Sequence, residues 1–236
     1  MISSADKAYL ATLTEKCALG DEAAMEQYAS FYCEEHPDLM NDSVIPLVVQ
    51  YLERGAAGGS QRACLNLGAM YEDGHYVVQD RVKAIALLES ARAGGDARLS
   101  AIATARLGDC CCAMENADYR KAFDYYLEGV LLCNHPVSLY KLGDMYRAGR
   151  FVEKDPEKAY FIYEKAKTAS QRFCNDSYAE ILFRIAQAKL DGIGTARDPM
   201  GARKYLEMAK RTPSQSSIPE SIRDASEELL KRAKEG

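Results

Sequence analysis

The sequence predicts an all-α protein, an α/α solenoid in which antiparallel helix pairs form a right-handed superhelix. The first observation is an internal sequence repeat, because LGAMYEDG at 67–74 recurs as LGDMYRAG at 142–149. The match continues at equal spacing through Val77/Val152, Asp80/Asp155, Lys83/Lys158, Ala84/Ala159, Glu89/Glu164 and Ala91/Ala166. Such repetition is typical of solenoids, in which each unit buries its apolar face only against its neighbours.

The second observation is that two weaker copies follow the same pattern. One of them has Ile185, Ala186, Gly192, Asp198, Ala202, Glu207 and Ala209 at the same internal spacing. The other has a shortened middle and retains Leu107, Gly108, Ala122 and Gly129. The repeat therefore extends beyond the two strongest copies.

The third observation is that helix ends are encoded in each copy. Glycine fits the left-handed residue that ends a first helix, and aspartate fits the N-cap of the second. These residues are Gly74, Gly149 and Gly192 at the first-helix ends, and Asp80, Asp155 and Asp198 at the second-helix starts. Pro156 and Pro199 follow two of the caps, at the first helical position where a missing N–H is tolerated. Each copy thus predicts two helices joined by a turn.

Small residues lie where the paired helices should approach closely. Gly68 and Gly143 interrupt otherwise helical patterns, and Ala186 occupies the same place in the third copy. Glycine inside a helix costs about 1 kcal/mol relative to alanine, so a packing reason is expected. We expect the counterparts on the second helix to be alanine pairs such as Ala84 and Ala91.

Taken in chain order, the pattern gives one repeat domain over residues 1–236, with about 12 helices. The predicted units are approximately 21–57, 58–94, 95–133, 134–170 and 175–211, followed by a capping helix over 219–234. In the predicted unit 21–57, Pro46 fits only the first helical turn, which predicts an N-cap between Asn41 and Ser43.

The pattern A-x-x-L-G-x-x-Y-x-x-G, followed by V-x-x-D-x-x-K-A, at Cys64 to Ala91 and Leu139 to Ala166 resembles the SEL-like repeat family, relatives of the tetratricopeptide repeats. The resemblance covers roughly residues 17–211 and departs at Lys189, where the stronger copies have Tyr71 and Tyr146. It implies that first helices line a concave surface on which a ligand binds.

Counting from the Leu-Gly pair places a set of exposed, partner-binding candidates on that concave surface. They are Leu65, Ala69, Glu72, Asp109, Tyr140, Asp144, Arg147, Phe183, Gln187 and Leu190, with Ala105 and Cys112 at equivalent positions. The mixture of apolar and charged residues suits an extended peptide or a helix. The alternative is that Leu65, Tyr140 and Phe183 only pack between neighbouring repeats.

Charge and hydropathy exclude several classes of protein. The formal charge of −5 argues against nucleic-acid binding, which normally needs a basic stripe. No segment approaches roughly 18 consecutive apolar residues, and the N-terminal residues lack the pattern of an export signal, so we expect a cytoplasmic protein without membrane contact. Residues 1–60 hold three Lys/Arg against ten Asp/Glu, an imbalance that leaves a homo-oligomer possible.

The residues that most suggest chemistry lie in a pattern that does not support it. Cys110, Cys111 and Cys112 are adjacent on a predicted helix and point about 100° apart, so they cannot converge on one metal ion. Packing is the favoured role, and any further role stays open. The three histidines, His36, His75 and His135, all fall in predicted turns, without a nucleophile motif.

We therefore expect no enzyme, cofactor or metal, but a scaffold or adaptor that binds a protein or peptide in a concave groove. A self-assembling structural protein is the alternative. A hydrolase or metal-dependent enzyme on the same scaffold is the least favoured reading.

Overall fold

A computed structural model describes residues 3–173, 177–211, 228, 229 and 231. The regular structure within these residues is helical, which confirms the all-α prediction. The α-helices are α1 Ser4–Ala18, α2 Glu22–Ser30, α3 Ile45–Ala57, α4 Gln61–Asp73, α5 Arg81–Arg92, α6 Ala97–Cys112, α7 Tyr119–Cys133, α8 Pro136–Ala148, α9 Pro156–Phe173, α10 Tyr178–Asp191 and α11 Pro199–Lys210. They belong to two compact units, residues 1–110 and 111–236.

In the first unit, α1 to α4 enclose a core rich in aromatic side chains. Tyr28 and Tyr32 of this core have ring centroids 5.0 Å apart, and Phe31 packs edge-on against Tyr32. A π-helical turn at Phe31–Glu35 extends α2 and ends at His36. His36 leaves the helical region because the residue before a proline, here Pro37, is sterically disfavoured there.

The start of α3 differs from the prediction. The helix begins at Ile45 after Val44, which provides no side-chain cap, so the predicted cap at 41–43 is wrong. The Asn41 side chain instead accepts hydrogen bonds from the backbone and hydroxyl of Ser43, in a separate turn before the helix. Pro46 does lie in the first helical turn, as predicted.

The turns within the repeat hairpins have the predicted left-handed glycines and aspartate N-caps. The glycines that end α4, α8 and α10 have φ of 69°, 69° and 66°, the left-handed conformation that glycine adopts at least cost. The Asp80, Asp155 and Asp198 carboxylates accept backbone N–H groups of the helices that follow. Both sets of predicted helix ends are confirmed.

One further hydrogen bond closes each of these three loops. The backbone N–H of the capping aspartate donates to a carbonyl three residues before the glycine, from Asp80 to Tyr71, Asp155 to Tyr146 and Asp198 to Lys189, at 2.8–3.0 Å. The loop geometry thus depends on backbone groups. It is therefore retained at Lys189, where the aromatic side chain of the stronger copies is missing.

The residue two places after each loop glycine is also left-handed. Tyr76 and Phe151 have φ of 68° and 64°, and Gly194 has φ of 75° in the third loop. The Phe151 ring lies 5.5 Å from that of Phe123, on the preceding helix α7. At Gly194 an added Cβ would lie 2.0 Å from the Pro156 carbonyl oxygen, so only glycine fits there.

The helices within a hairpin approach closely at a glycine. A Cβ added at Gly68 would lie 3.0 Å from Leu88, and one at Gly143 would lie 2.5 Å from the Tyr163 ring. The side chains nearest to these glycines on the second helices are therefore Leu88 and Tyr163. Ala84 and Ala91 are fully buried on the same helix, and their role as counterparts of the glycine stays a prediction.

In the second unit, the cores lie between successive helix pairs. Leu139, Tyr163, Ala166 and Ile185 pack together from α8, α9 and α10. The predicted capping helix 219–234 lies largely outside the described residues. Leu229, one of the three residues described there, is buried in a cluster with Leu190 and Leu206.

The Cys33 thiol in the π-helical turn is expected to react slowly with iodoacetamide. Burial, assisted by the Glu34 carboxylate, raises the pKa of Cys33 to about 11. Since the thiolate is the nucleophile, native Cys33 should react about a hundredfold more slowly at pH 8 than in the urea-unfolded chain. Mass spectrometry of the Cys33 peptide measures both rates. Equal rates, or a native rate that levels off below pH 9, would contradict the assignment.

Candidate functional site

In the first unit, an ion pair that includes the predicted residue Glu72 joins two first helices. Glu72 on α4 accepts a hydrogen bond from Arg106 on α6 at 2.8 Å, and Arg106 also lies 3.3 Å from Asp73. Burial raises the pKa of the Glu72 carboxyl, against the opposing effect of the Arg106 guanidinium. Ala69 and Asp109 are half-buried on the same two helices.

In the second unit, the Asp144 carboxylate on α8 accepts hydrogen bonds from two side chains. Arg184 on α10 donates to both carboxylate oxygens at 2.8–2.9 Å, and the Tyr163 hydroxyl donates to Oδ1 at 2.7 Å. Burial opposes the charge on Arg184, but the Asp144 carboxylate outweighs it, and the pKa of the guanidinium is raised. Burial, and then Asp144, raise the pKa of the Tyr163 hydroxyl.

A second contact ties the same two helices. Arg147 on α8 donates to the Gln187 side chain on α10 at 2.7 Å. The Arg184 guanidinium lies 4.3 Å from the centroid of the Tyr140 ring, so it covers that ring while it pairs with Asp144. Two polar contacts one helical turn apart therefore join α8 and α10.

The predicted candidates divide by burial. Leu65, Tyr140 and Leu190 are only 6%, 4% and 3% exposed, so the expectation that they are exposed is wrong. They point into the packing between helices, as the alternative for Leu65 and Tyr140 proposed. Ala105 is buried as well, whereas Cys112 is half-buried. The candidates that remain half-buried are Ala69, Glu72, Asp109, Asp144, Arg147, Phe183 and Gln187.

The sequence reading missed the two arginines that organise these surfaces. Arg106 and Arg184 each stand directly before the first residue of the Leu-Gly position, Leu107 and Ile185. Their shared place in the repeat, opposite acidic residues of the preceding first helix, was a signal that could have found them. Long side chains at this position reach across to the neighbouring repeat.

The cysteine-rich stretch is packed into the helical core. Cys110 and Cys111 are buried, and the Cys112 sulfur lies 3.8 Å from the Tyr126 hydroxyl. Within residues 3–173 and 177–211, no group of three or more His, Cys, Asp or Glu side chains is arranged to hold a metal ion. Among the helices that the structure describes, none has the length and apolar character needed to span a membrane.

Comparison with known proteins identifies the repeat. The Sel1 repeat model matches residues 61–96, 101–130, 136–170 and 179–211. The chain belongs to the Sel1 repeat family. These Sel1 repeats correspond to the predicted units from residue 58 onward, whereas the predicted unit 21–57 lies outside the match and stays a prediction. Sel1 repeat scaffolds are typical of protein–protein interaction modules.

Solved structures support the Sel1 repeat fold. A protective antigen of uropathogenic Escherichia coli strains that displays an SLR fold is 17% identical, with a TM-score of 0.67. The match covers 96% of this chain and 48% of the antigen, so this chain spans about half of that protein's length. The Sel1 repeat protein from Oxalobacter formigenes is 17% identical, with a TM-score of 0.64 over 92% of this chain and 89% of that one. No curated protein matches the chain.

The two structural likenesses confirm the α/α solenoid class predicted from the repeat. At this level of identity they establish the fold alone. The role of each Sel1 repeat surface therefore has to be argued from this chain's own residues.

Proposed function

We propose that this Sel1 repeat chain is a non-catalytic scaffold that binds a protein or peptide along the concave face formed by its first helices. The observation that carries the proposal is an ion pair between neighbouring first helices in each unit. Glu72 with Arg106 in the first unit, and Asp144 with Arg184 in the second, tie neighbouring first helices through arginines at the same repeat position. A surface fixed in this way loses little conformational entropy when a partner binds.

The half-buried side chains beside these pairs suit a peptide ligand. Ala69 offers a small flat surface, and Phe183 an aromatic one. Arg147 and Gln187 bond to each other but still reach solvent, so they can also meet a partner's polar groups. Leu65, Tyr140 and Leu190 then act beneath the surface, as support for the helices that carry it.

The proposed setting is the cytoplasm. Seven cysteines within residues 3–173 are present as thiols, which a reducing compartment would preserve. Several of them are buried among apolar side chains, where they pack as small hydrophobic residues.

Photo-crosslinking in the native host tests the proposed face. A benzophenone amino acid at Ala69 or Phe183, on first helices, should give adducts with the same partner protein. The same group at the exposed residues Ser90 or Lys204, on second helices, should not. Adducts at the second-helix positions alone would contradict the proposal, and adducts only between copies of this chain would favour self-assembly.

A charge variant provides a matched check. Gln187→Arg places a long cation one helical turn from Phe183 on α10 and should abolish the adduct at Phe183, whereas Ser90→Arg should leave it unchanged. Circular dichroism of both variants controls for folding. An adduct that survives Gln187→Arg in full would place the partner elsewhere.

A further inference from the structure

The second unit contains a pocket away from the first-helix face. It has a volume of about 530 Å³ and lies where the end of α7, the start of α8 and the later turns of α9 meet. Its lining includes the apolar side chains of Leu139, Phe161 and Ala169, the cations of Lys165, Lys167 and Arg172, and one carboxylate, that of Glu164. We call it the α9 pocket. This volume falls within the range of known ligand sites.

The charges of the α9 pocket are unevenly compensated. Lys167 bonds to the Glu164 carboxylate and lies 3.1 Å from the Tyr205 hydroxyl, so its charge is satisfied within the protein. The ion pairs formed among residues 3–173 and 177–211 include neither Lys165 nor Arg172. The pocket therefore presents two cations without a carboxylate partner in the described structure.

The apolar part of the pocket is also exposed. Phe161 is 59% exposed although it is a large aromatic residue, and the Lys165 ammonium lies 4.7 Å from its ring centroid. An aromatic surface beside a cation suits a ligand with an apolar group next to an anion. Such side chains are also frequent anchors of protein interfaces.

The spacing of the cations limits the shape of the ligand. Lys165 and Arg172 are two helical turns apart on α9, on the same side, and thus separated by about 10.5 Å along the axis. A peptide in the polyproline II conformation has three residues per turn and advances about 3.1 Å per residue, so acidic residues three positions apart lie on one side and are separated by about 9.3 Å. Phe161 lies one helical turn before Lys165, so an apolar residue next to the carboxylate at Lys165 would reach its ring.

We propose that the α9 pocket is a docking site for an acidic segment of another protein, in which carboxylates three residues apart pair with Lys165 and Arg172 while an apolar side chain next to the carboxylate at Lys165 packs on Phe161. The site is separate from the first-helix face. It does not depend on the function proposed for that face.

Fluorescence anisotropy tests the α9 pocket. The probe is a fluorescein-labelled Gly-Glu-Phe-Leu-Glu-Gly peptide, and the same peptide with glutamine for glutamate is its control. The acidic probe should bind saturably, and Lys165→Gln with Arg172→Gln should weaken binding by at least about tenfold, because charge-assisted contacts are lost. Arg120→Gln with Lys204→Gln removes the same charge from exposed positions outside the pocket and should have little effect.

A second pair of variants tests the apolar contact. Phe161→Ala should weaken the acidic probe, whereas Leu131→Ala, at a residue 77% exposed on α7, should not. Both substitutions are on the surface, so folding is expected to survive and can be verified by circular dichroism.

Several outcomes would overturn the proposal: no saturable binding, equal binding of the glutamine peptide, or an equal loss in the Arg120/Lys204 control. Binding to phosphatidylserine vesicles through Lys165 and Arg172, without binding of the peptide, would assign the pocket to a membrane surface instead. Since Ala69 and Phe183 lie outside the pocket lining, the crosslinking result at the first-helix face fails or succeeds separately.

Discussion

Replacing Gly143 by alanine is expected to destabilise the second unit by about 1–3 kcal/mol. The new Cβ would lie 2.5 Å from Cε1 of Tyr163, well inside van der Waals contact. The Tyr163 ring is almost fully buried and its hydroxyl is bonded to Asp144, so it cannot move aside easily. Urea denaturation followed by circular dichroism measures the loss.

The third copy of the repeat supplies the control. Ala186 stands where Gly143 does, and Leu206 stands where Tyr163 does, with both buried in one cluster. Tyr163→Leu removes the clash and also the bond to Asp144, so it is destabilising by itself. The double variant should be no less stable than Tyr163→Leu alone. If the two losses add in full, the glycine is not required by the tyrosine ring.

Gly68→Ala offers a graded comparison in the first unit. Its Cβ would lie 3.0 Å from the Leu88 side chain, which is less crowded than the tyrosine ring. The loss of stability should therefore be smaller than for Gly143→Ala.

Replacing Arg184 by methionine is expected to destabilise the second unit by about 2–3 kcal/mol. Asp144 would remain in a site where its side chain is only 26% exposed, without its bidentate partner. The Tyr140 ring would lose the guanidinium that covers it. Arg184→Lys should give an intermediate loss, because lysine retains the charge but not the planar fork.

An exposed ion pair provides the matched control. Arg203 and Glu207 are one helical turn apart on α11, with side chains 50% and 45% exposed. Arg203→Met should cost less than about 0.5 kcal/mol, since solvent screens such pairs. Similar losses for Arg184→Met and Arg203→Met would show that the ion pair between Asp144 and Arg184 contributes no more stability than an exposed pair.

The helix boundaries could be read from the sequence because their causes are local. A left-handed glycine, an aspartate cap and a proline in the first turn each act within a few residues, and Gly149, Asp155 and Pro156 appear in order in one loop. Asn41 shows the limit of this reasoning. Its side chain caps a short turn rather than the helix, and composition alone does not separate the two.

The candidate site was harder to predict because exposure depends on other repeats. Tyr140 occupies a first-helix position that counting marks as outward, but Arg184, 44 positions later in the chain, covers its ring. The α9 pocket likewise combines Leu139 with Phe161 and Arg172 from another helix. No local pattern connects such residues until the helices are placed side by side.

The hydrogen bonds that close the loops at Asp80, Asp155 and Asp198 have an evolutionary consequence. Each lies wholly within its own hairpin, so a duplicated gene segment carries the residues that its own turn needs. The contacts between neighbouring hairpins are different. Gly194 fits only against the Pro156 backbone and Phe151 meets Phe123, so a transplanted hairpin would have to adapt to its new neighbour before the order of repeats could change.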